Sequence, residues 1–274
     1  MNSTSNPIMD VPAVVLCGGR ASRMGSVADN IPKALLPVAG YPILWYIIGR
    51  FYLSGFRRFV LPVGHLGQTI VDYVRSGALP TDCRIECVDT GADTPISGRI
   101  MQIRDRLPVD GDFVLTNGDQ LFDFPMERLV AMHREQSAQA TFAAVAVRSR
   151  YGLLIEENGK TVSFERESLV SGYEVMGAGG LAIGRIYSGM CALHGSALNM
   201  VEVAKTDRFE AELFPELIAS GRTACFPIED FWYSIDTPKD LGEANGDLDT
   251  REGRAVQALK NRIETHYASK VAAQ

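Results

Sequence analysis

Short runs of Val, Ile, Leu and Phe alternate along the first half of the chain with longer stretches whose apolar residues recur at helical spacing. The runs AVVLC (13–17), RRFVLPVG (57–64), RIECVD (84–89) and DFVLTNGD (112–119) read as buried-type strands. Between them, PILWYIIGRFYLSG (42–55), GQTIVDYVRSG (67–77) and SGRIMQIRDRL (97–107) read as helices, the first ending at a glycine suited to a C-cap. Strand–helix alternation of this kind predicts right-handed βαβ units. The expected fold is α/β, a Rossmann-like and mostly parallel sheet flanked by helices. In such sheets ligands bind beyond the carboxyl ends of the strands, which brings Gly18, Gly19 and Asp119 to one edge.

The pattern changes after residue 140. ATFAAVAV (140–147) continues the strand series, and YGLLIEENGKTVSFERES (151–168) reads as a hairpin with Asn158-Gly159 at its turn. Glycine-rich VMGAGGLAIG follows, then IYSGMCAL (186–193) as another strand, and helices are expected near 209–220 and 251–270. In the last of these Val256, Leu259, Ile263 and Tyr267 share one face, as in a helix docked on the core. The expected organisation is one domain in three parts: 12–145, a β-rich 146–240 and a helical 241–274.

Apolar residues make up 46% of the 274 and charged residues 22%, ordinary for a globular chain. A net charge of −6 argues against broad nucleic-acid or anionic-membrane binding, although a local cluster of cations can still hold phosphate. The five cysteines form no CxxC pair and read as reduced core thiols. The first twelve residues lack a basic leader pattern and no apolar run approaches ~18 residues, so the expected location is cytoplasmic.

Chemistry enters with LCGGRASRMG (16–25), a strand running into two glycines and then Arg20 and Arg23. Adjacent glycines let backbone N–H groups turn toward a phosphate with no side chain in the way. The stretch has neither the GxxxxGK[ST] of a P-loop nor the GxGxxG of a dinucleotide fold, which also disfavours a dehydrogenase. A loop offering N–H groups, Arg23 and Lys33 can hold a triphosphate and neutralise charge at phosphorus. Read alone, a glycine turn with solvated cations fits these residues as well.

The wider pattern carries a resemblance. CGGRASRM…PKALLPVAGYPILWY resembles the GGxGTRL…PKPMxxxxGxPILWH signature of sugar-1-phosphate nucleotidyltransferases. CVDTGADTPISGRIMQI is similar to the LVDTGxxxxTGGRLxRV segment of glucose-1-phosphate cytidylyltransferases, and LTNGDQLFD, RYGLL, IYSGMCAL and FWYSIDTPKDL follow in that family's order across residues 13 to 242. GGRASRMG also resembles the GGxSxRMG loop of molybdenum-cofactor guanylyltransferases, whose downstream motifs match less well.

The resemblance implies a nucleotidyltransferase fold and its reaction. A sugar-1-phosphate oxygen attacks the α-phosphorus of a nucleoside triphosphate, with CTP and glucose-1-phosphate the closest match, and pyrophosphate leaves. The attacking monoester, second pKa ~6, is already mostly a dianion at neutral pH, so no general base is needed. His65, His133, His194 and His266 are scattered and receive no role. The reaction needs alignment and charge neutralisation.

Carried onto this chain, the family's pattern makes Asp119 and Asp236 the Mg²⁺ ligands, and Arg23 and Lys33 the cations on the triphosphate. It lines the nucleotide site with Leu16, Cys17, Gly18, Gly19, Ser22, Thr90, Gly91 and Gly118. Gly152, Glu165, Arg166 and Tyr187 fall where the family holds the sugar phosphate. As turn and cap residues, Asp119 and Asp236 have an alternative reading, the latter as an N-cap before Thr237-Pro238. The chain departs from the pattern at Ala21 (for Gly), Ser22 (for Thr), Arg166 (for the lysine of an EKP motif), Tyr187 (for Asn) and Asn117 (for an aromatic), changes that bear on the sugar more than on the chemistry and leave open a UTP-, dTTP- or GTP-using transferase acting on another sugar or cyclitol phosphate. The family is commonly oligomeric, which implies a homo-oligomer. A non-catalytic sensor of a sugar nucleotide is the alternative from another class, and its mark would be loss of Arg23, Lys33, Asp119 or Asp236.

Overall fold

The computed structural model describes residues 7–149, 153–165, 169–170, 172–177, 180–201, 209–246 and 248–271. Four parallel strands build one half of a seven-stranded sheet: β1 (Pro12–Leu16), β2 (Arg58–Val63), β3 (Arg84–Asp89) and β4 (Asp112–Asn117). Between them run α1 (Ile43–Leu53), α2 (Gly67–Arg75) and α3 (Ile96–Gln102). A short strand β5 (Gln120–Asp123) and helix α4 (Met126–Glu135) lead to β6 (Ala140–Val145). Two hairpins follow: β7 (Leu153–Glu157) with β8 (Lys160–Glu165), and β9 (Tyr173–Gly177) with β10 (Gly180–Gly184). The chain re-enters the sheet as β11 (Ile186–His194), then forms α5 (Phe209–Ala219), β12 (Thr223–Ile228), β13 (Phe231–Ser234), α6 (Pro238–Ala244) and α7 (Arg251–Val271).

The sheet order is β12-β6-β11-β4-β1-β2-β3. β11 runs antiparallel to both β4 and β6, while β12 is parallel to β6, so one strand of seven is reversed. That fits the expected mostly parallel sheet. Alternation within the strands explains the double-sided burial: Ala13, Val15 and Val114 enter the core against α1 and α7, whereas Val14, Phe113 and Leu115 enter a second core against α3 and α5.

Several boundaries differ from expectation. The helix read over 97–107 stops at Gln102 and continues as a 3₁₀ turn, Arg104–Arg106. The strand read to 119 ends at Asn117, and Gly118 and Asp119 form a turn into β5. Asn158 and Gly159 do make the hairpin turn, both at positive φ (51° and 78°). All five cysteines are free thiols, but Cys225 is exposed and Cys83 and Cys87 are half-buried, leaving Cys17 and Cys191 as core residues. Val256, Leu259 and Ile263 of α7 are fully buried, so this helix docks on the core against α1.

Candidate active site

The segments that follow β1, β3 and β4 at their carboxyl ends line a cleft of about 620 Å³. Residues 16–23 form one wall, 92–96 the other, and Lys33, Asn117, Gly118, Asp119 and Asp236 close the floor.

The two glycines of the loop do different things. A Cβ on Gly18 would collide with the guanidinium of Arg99, whereas a Cβ on Gly19 would meet nothing within 4 Å. Gly18 is therefore a packing requirement and Gly19 leaves the cleft open to a ligand. After them Ala21 sits in the left-handed region at φ 51°, a conformation that favours glycine, and Ser22 opens a 3₁₀ segment (Ser22–Ala28) anchored by the fully buried Met24.

Arg99 was read only as part of the SGR motif, and the structure gives it a central position. Buried on α3 beside the cleft, it donates to the carbonyl of Gly18 (2.9 Å), the carbonyl of Ala92 (3.1 Å), the carbonyl of Val63 (3.3 Å) and the Thr90 hydroxyl (2.6 Å). Burial lowers its pKa, against the raising influence of Asp89 and Asp93. One cation thus ties the loops after β1, β2 and β3 together. Thr90 faces inward to serve this network, and Gly91 (φ 85°) donates its N–H to Asp89 at 2.9 Å, so it is residues 92–96 that line the cleft beside them. Above the cleft, exposed Arg20 and Asp93 pair across the two walls at 2.8 Å.

On the floor, Lys33 Nζ donates to Asp119 Oδ2 (2.7 Å) and Asp236 Oδ1 (3.2 Å). Arg23 Nη1 lies 3.8 Å from the same Asp236 oxygen, its side chain 79% exposed. Asp119 is held by its backbone: Gly118 N–H donates to Leu16 O (3.1 Å) and Ile235 N–H donates to Asp119 O (2.9 Å). A Cβ on Gly118 would lie 2.5 Å from Leu16 O, so only glycine permits this tight approach. The N-cap of α6 is Thr237, in a capping box with Asp240, which leaves the Asp236 carboxylate facing the cleft. Burial works to raise the pKa of Asp236, but the Ser234 hydroxyl (2.8 Å), Lys33 and Arg23 outweigh it and hold the carboxyl below its usual range.

Two carboxylate oxygens converging on one ammonium nitrogen are an oxygen donor set of the kind Mg²⁺ takes, with phosphate oxygens and water completing the shell. Among the described residues no group of three or more His, Cys, Asp or Glu is placed to hold a metal ion.

Of the four sugar-phosphate residues, two can be placed. Gly152 and Arg166 lie outside the described residues. Glu165 is exposed at the end of β8, where its Oε1 accepts from the Ser163 hydroxyl at 3.3 Å. Tyr187 points into the second core between Phe142 and Phe214, ring centroids 6.1 and 5.1 Å away, and burial pushes its phenol well above its ordinary pKa.

Comparison with known proteins agrees with this architecture. The family model for the MobA-like NTP transferase domain matches residues 13–192, well beyond the loop that resembled it. A Bacillus subtilis protein named "Probable glucose-1-phosphate cytidylyltransferase" is 30% identical over 85% of this chain and 94% of its own length. The glucose-1-phosphate cytidylyltransferase of Salmonella typhi is 25% identical over 83% and 92%. A Bacillus anthracis chain crystallised with a sucrose shares the fold at a TM-score of 0.64 and 16% identity, over 86% of this chain and 94% of that one. The chain belongs to the MobA-like NTP transferase family and is a nucleotidyltransferase of the sugar-1-phosphate type.

Proposed function

We propose that the cleft joins CTP to glucose-1-phosphate, releasing pyrophosphate and forming CDP-glucose. The observation that carries the transfer chemistry is the convergence of Asp119 and Asp236 on one point beneath an open glycine loop, with Lys33 and Arg23 beside them. The choice of cytosine and glucose is supported by the 30% identical relative and by the PILWY and DTG…SGR stretches.

In this reading the loop N–H groups around Gly19 and the Arg23 guanidinium hold the triphosphate, and Lys33 neutralises charge near the α-phosphorus. One oxygen of the sugar phosphate forms a new bond to that phosphorus as the bond to the bridging oxygen of pyrophosphate breaks. The electron pair leaves on pyrophosphate, and no proton need move because the nucleophile is already anionic. Mg²⁺, held by Asp119 and Asp236, would supply neutralisation of phosphate charge. The chain's own contribution is alignment and fixed positive charge.

The test crosses CTP, UTP, dTTP, GTP and ATP with a panel of sugar-1-phosphates and follows pyrophosphate release with Mg²⁺. Fastest release with CTP and glucose-1-phosphate is the expected result. Preference for another pair overturns the specificity, and tight nucleotide binding without release by any pair favours the sensor.

A further inference from the structure

Lys33 stands where a divalent cation would have to bind. Its Nζ touches the two carboxylate oxygens that converge in the cleft, at 2.7 and 3.2 Å, and its side chain is only 15% exposed. The residues that carry the carboxylates are anchored: the backbone of Asp119 by Ile235 and, by way of Gly118, by Leu16; Asp236 by the Ser234 hydroxyl on its carboxylate and by its own N–H, which donates to Asp240 Oδ2 at 3.0 Å. Lys33 is different. It lies on a single 3₁₀ turn (Lys33–Leu35) at the end of a flexible four-carbon stem. The arrangement is a pair of carboxylates on anchored backbone with one long-stemmed cation between them.

We propose that Lys33 is an internal counter-ion of the two-carboxylate site, and that it must leave those oxygens for a divalent cation to bind. The proposal rests on the metal reading of Asp119 and Asp236 given above. A divalent ion and an ammonium on the same pair of oxygens would set three positive charges against two negative ones, with the two cations repelling at close range. A triphosphate resolves the conflict, because it offers oxygens to the metal and to the displaced ammonium together. The free protein therefore takes metal weakly, and metal and nucleotide bind with positive coupling that is reciprocal between them. Lys33 thus has two positions, one on the carboxylates before substrate and one on the triphosphate after it.

The experiment measures Mn²⁺ binding to the full chain by electron paramagnetic resonance, with and without CTP, and the melting temperature with and without Mn²⁺. The variants are Lys33→Met, Lys33→Gln and Asp119→Asn. Without CTP, Lys33→Met should bind Mn²⁺ about tenfold more tightly than wild type, and its melting temperature should rise further on adding Mn²⁺. CTP should tighten Mn²⁺ binding to wild type more than to the variant. Should Lys33→Met fold poorly, Lys33→Gln carries the same expectation. Equal or weaker Mn²⁺ binding by the neutral variants, while Asp119→Asn loses it, overturns the counter-ion role and leaves the metal reading standing. Mn²⁺ binding that is indifferent to Asp119→Asn, with and without CTP, overturns both.

Discussion

The carbonyls of Gly18, Val63 and Ala92 and the hydroxyl of Thr90 converge on one buried guanidinium, and that convergence sets the distance between the two walls of the cleft. Lysine at this position keeps the charge but loses the planar fork. Arg99→Lys should therefore lower stability by about 1–3 kcal/mol, as buried acceptors lose partners, and raise the KM for nucleotide more than it lowers kcat. Thermal melts and steady-state kinetics check both parts. A second residue-scale outcome concerns Ala21 at φ 51°. Ala21→Gly should stabilise by up to about 1 kcal/mol, because relief of left-handed strain exceeds the extra freedom given to the unfolded chain. Denaturant unfolding reads this directly. The cations and carboxylates of the floor were legible in the sequence because each closes a strand or a motif of fixed order. Arg99 was not, since nothing in SGRIMQI tells a buried helical arginine from a solvated one; two of its partners, Gly18 and Val63, lie 81 and 36 residues away in sequence.

Among the elements, the parallel strands and their helices stood out through apolar runs of strand length and apolar spacing of helical period. Those missed were weaker signals. Helix α4 mixes its apolar residues with five charged or polar ones (Glu127, Arg128, His133, Arg134 and Glu135), and α6 is only one capping box and two turns long. Strand β12 contains Pro227, which reads as a breaker; it is tolerated because β12 is an edge strand, paired only with β6. Helix α7 was expected to dock, and the contact has a sharp test. A Cβ on Gly49 of α1 would lie 2.7 Å from Ile263 Cγ2, with Tyr267 Oη at 3.1 Å. Gly49→Val should force the two helices apart and cost on the order of 2 kcal/mol or more. Urea unfolding that matches wild type would contradict the tight α1–α7 approach.

For the molecule as a whole, the two edges of the sheet carry different burdens. At the amino edge Asp112 accepts from Arg134 Nε at 2.7 Å and lies 3.5 Å from His133 Nε2. Burial works to raise its pKa, but these two neighbours prevail and bring it down to about 2. A carboxyl depressed in the folded state stabilises fully above its unfolded pKa and loses that contribution as pH falls through the folded value. The Asp112 contribution, roughly 2 kcal/mol, should thus be present above about pH 4 and disappear toward about pH 2. The stability gap between wild type and Asp112→Asn, followed by melting across that window, should close as the pH drops. At the carboxyl edge the protein carries its chemistry, on a chain whose net charge of −6 gives no hint of it. There Asp119, Asp236, Lys33 and Arg23 meet although they lie up to 213 residues apart in sequence. The most direct test of the account is pyrophosphate release by wild type and by Asp119→Asn, each with Mg²⁺, CTP and glucose-1-phosphate, on protein whose melting curve confirms the fold. The account predicts turnover by the wild type and a loss of at least about a hundredfold in the variant. A folded Asp119→Asn protein with near-normal turnover would contradict it.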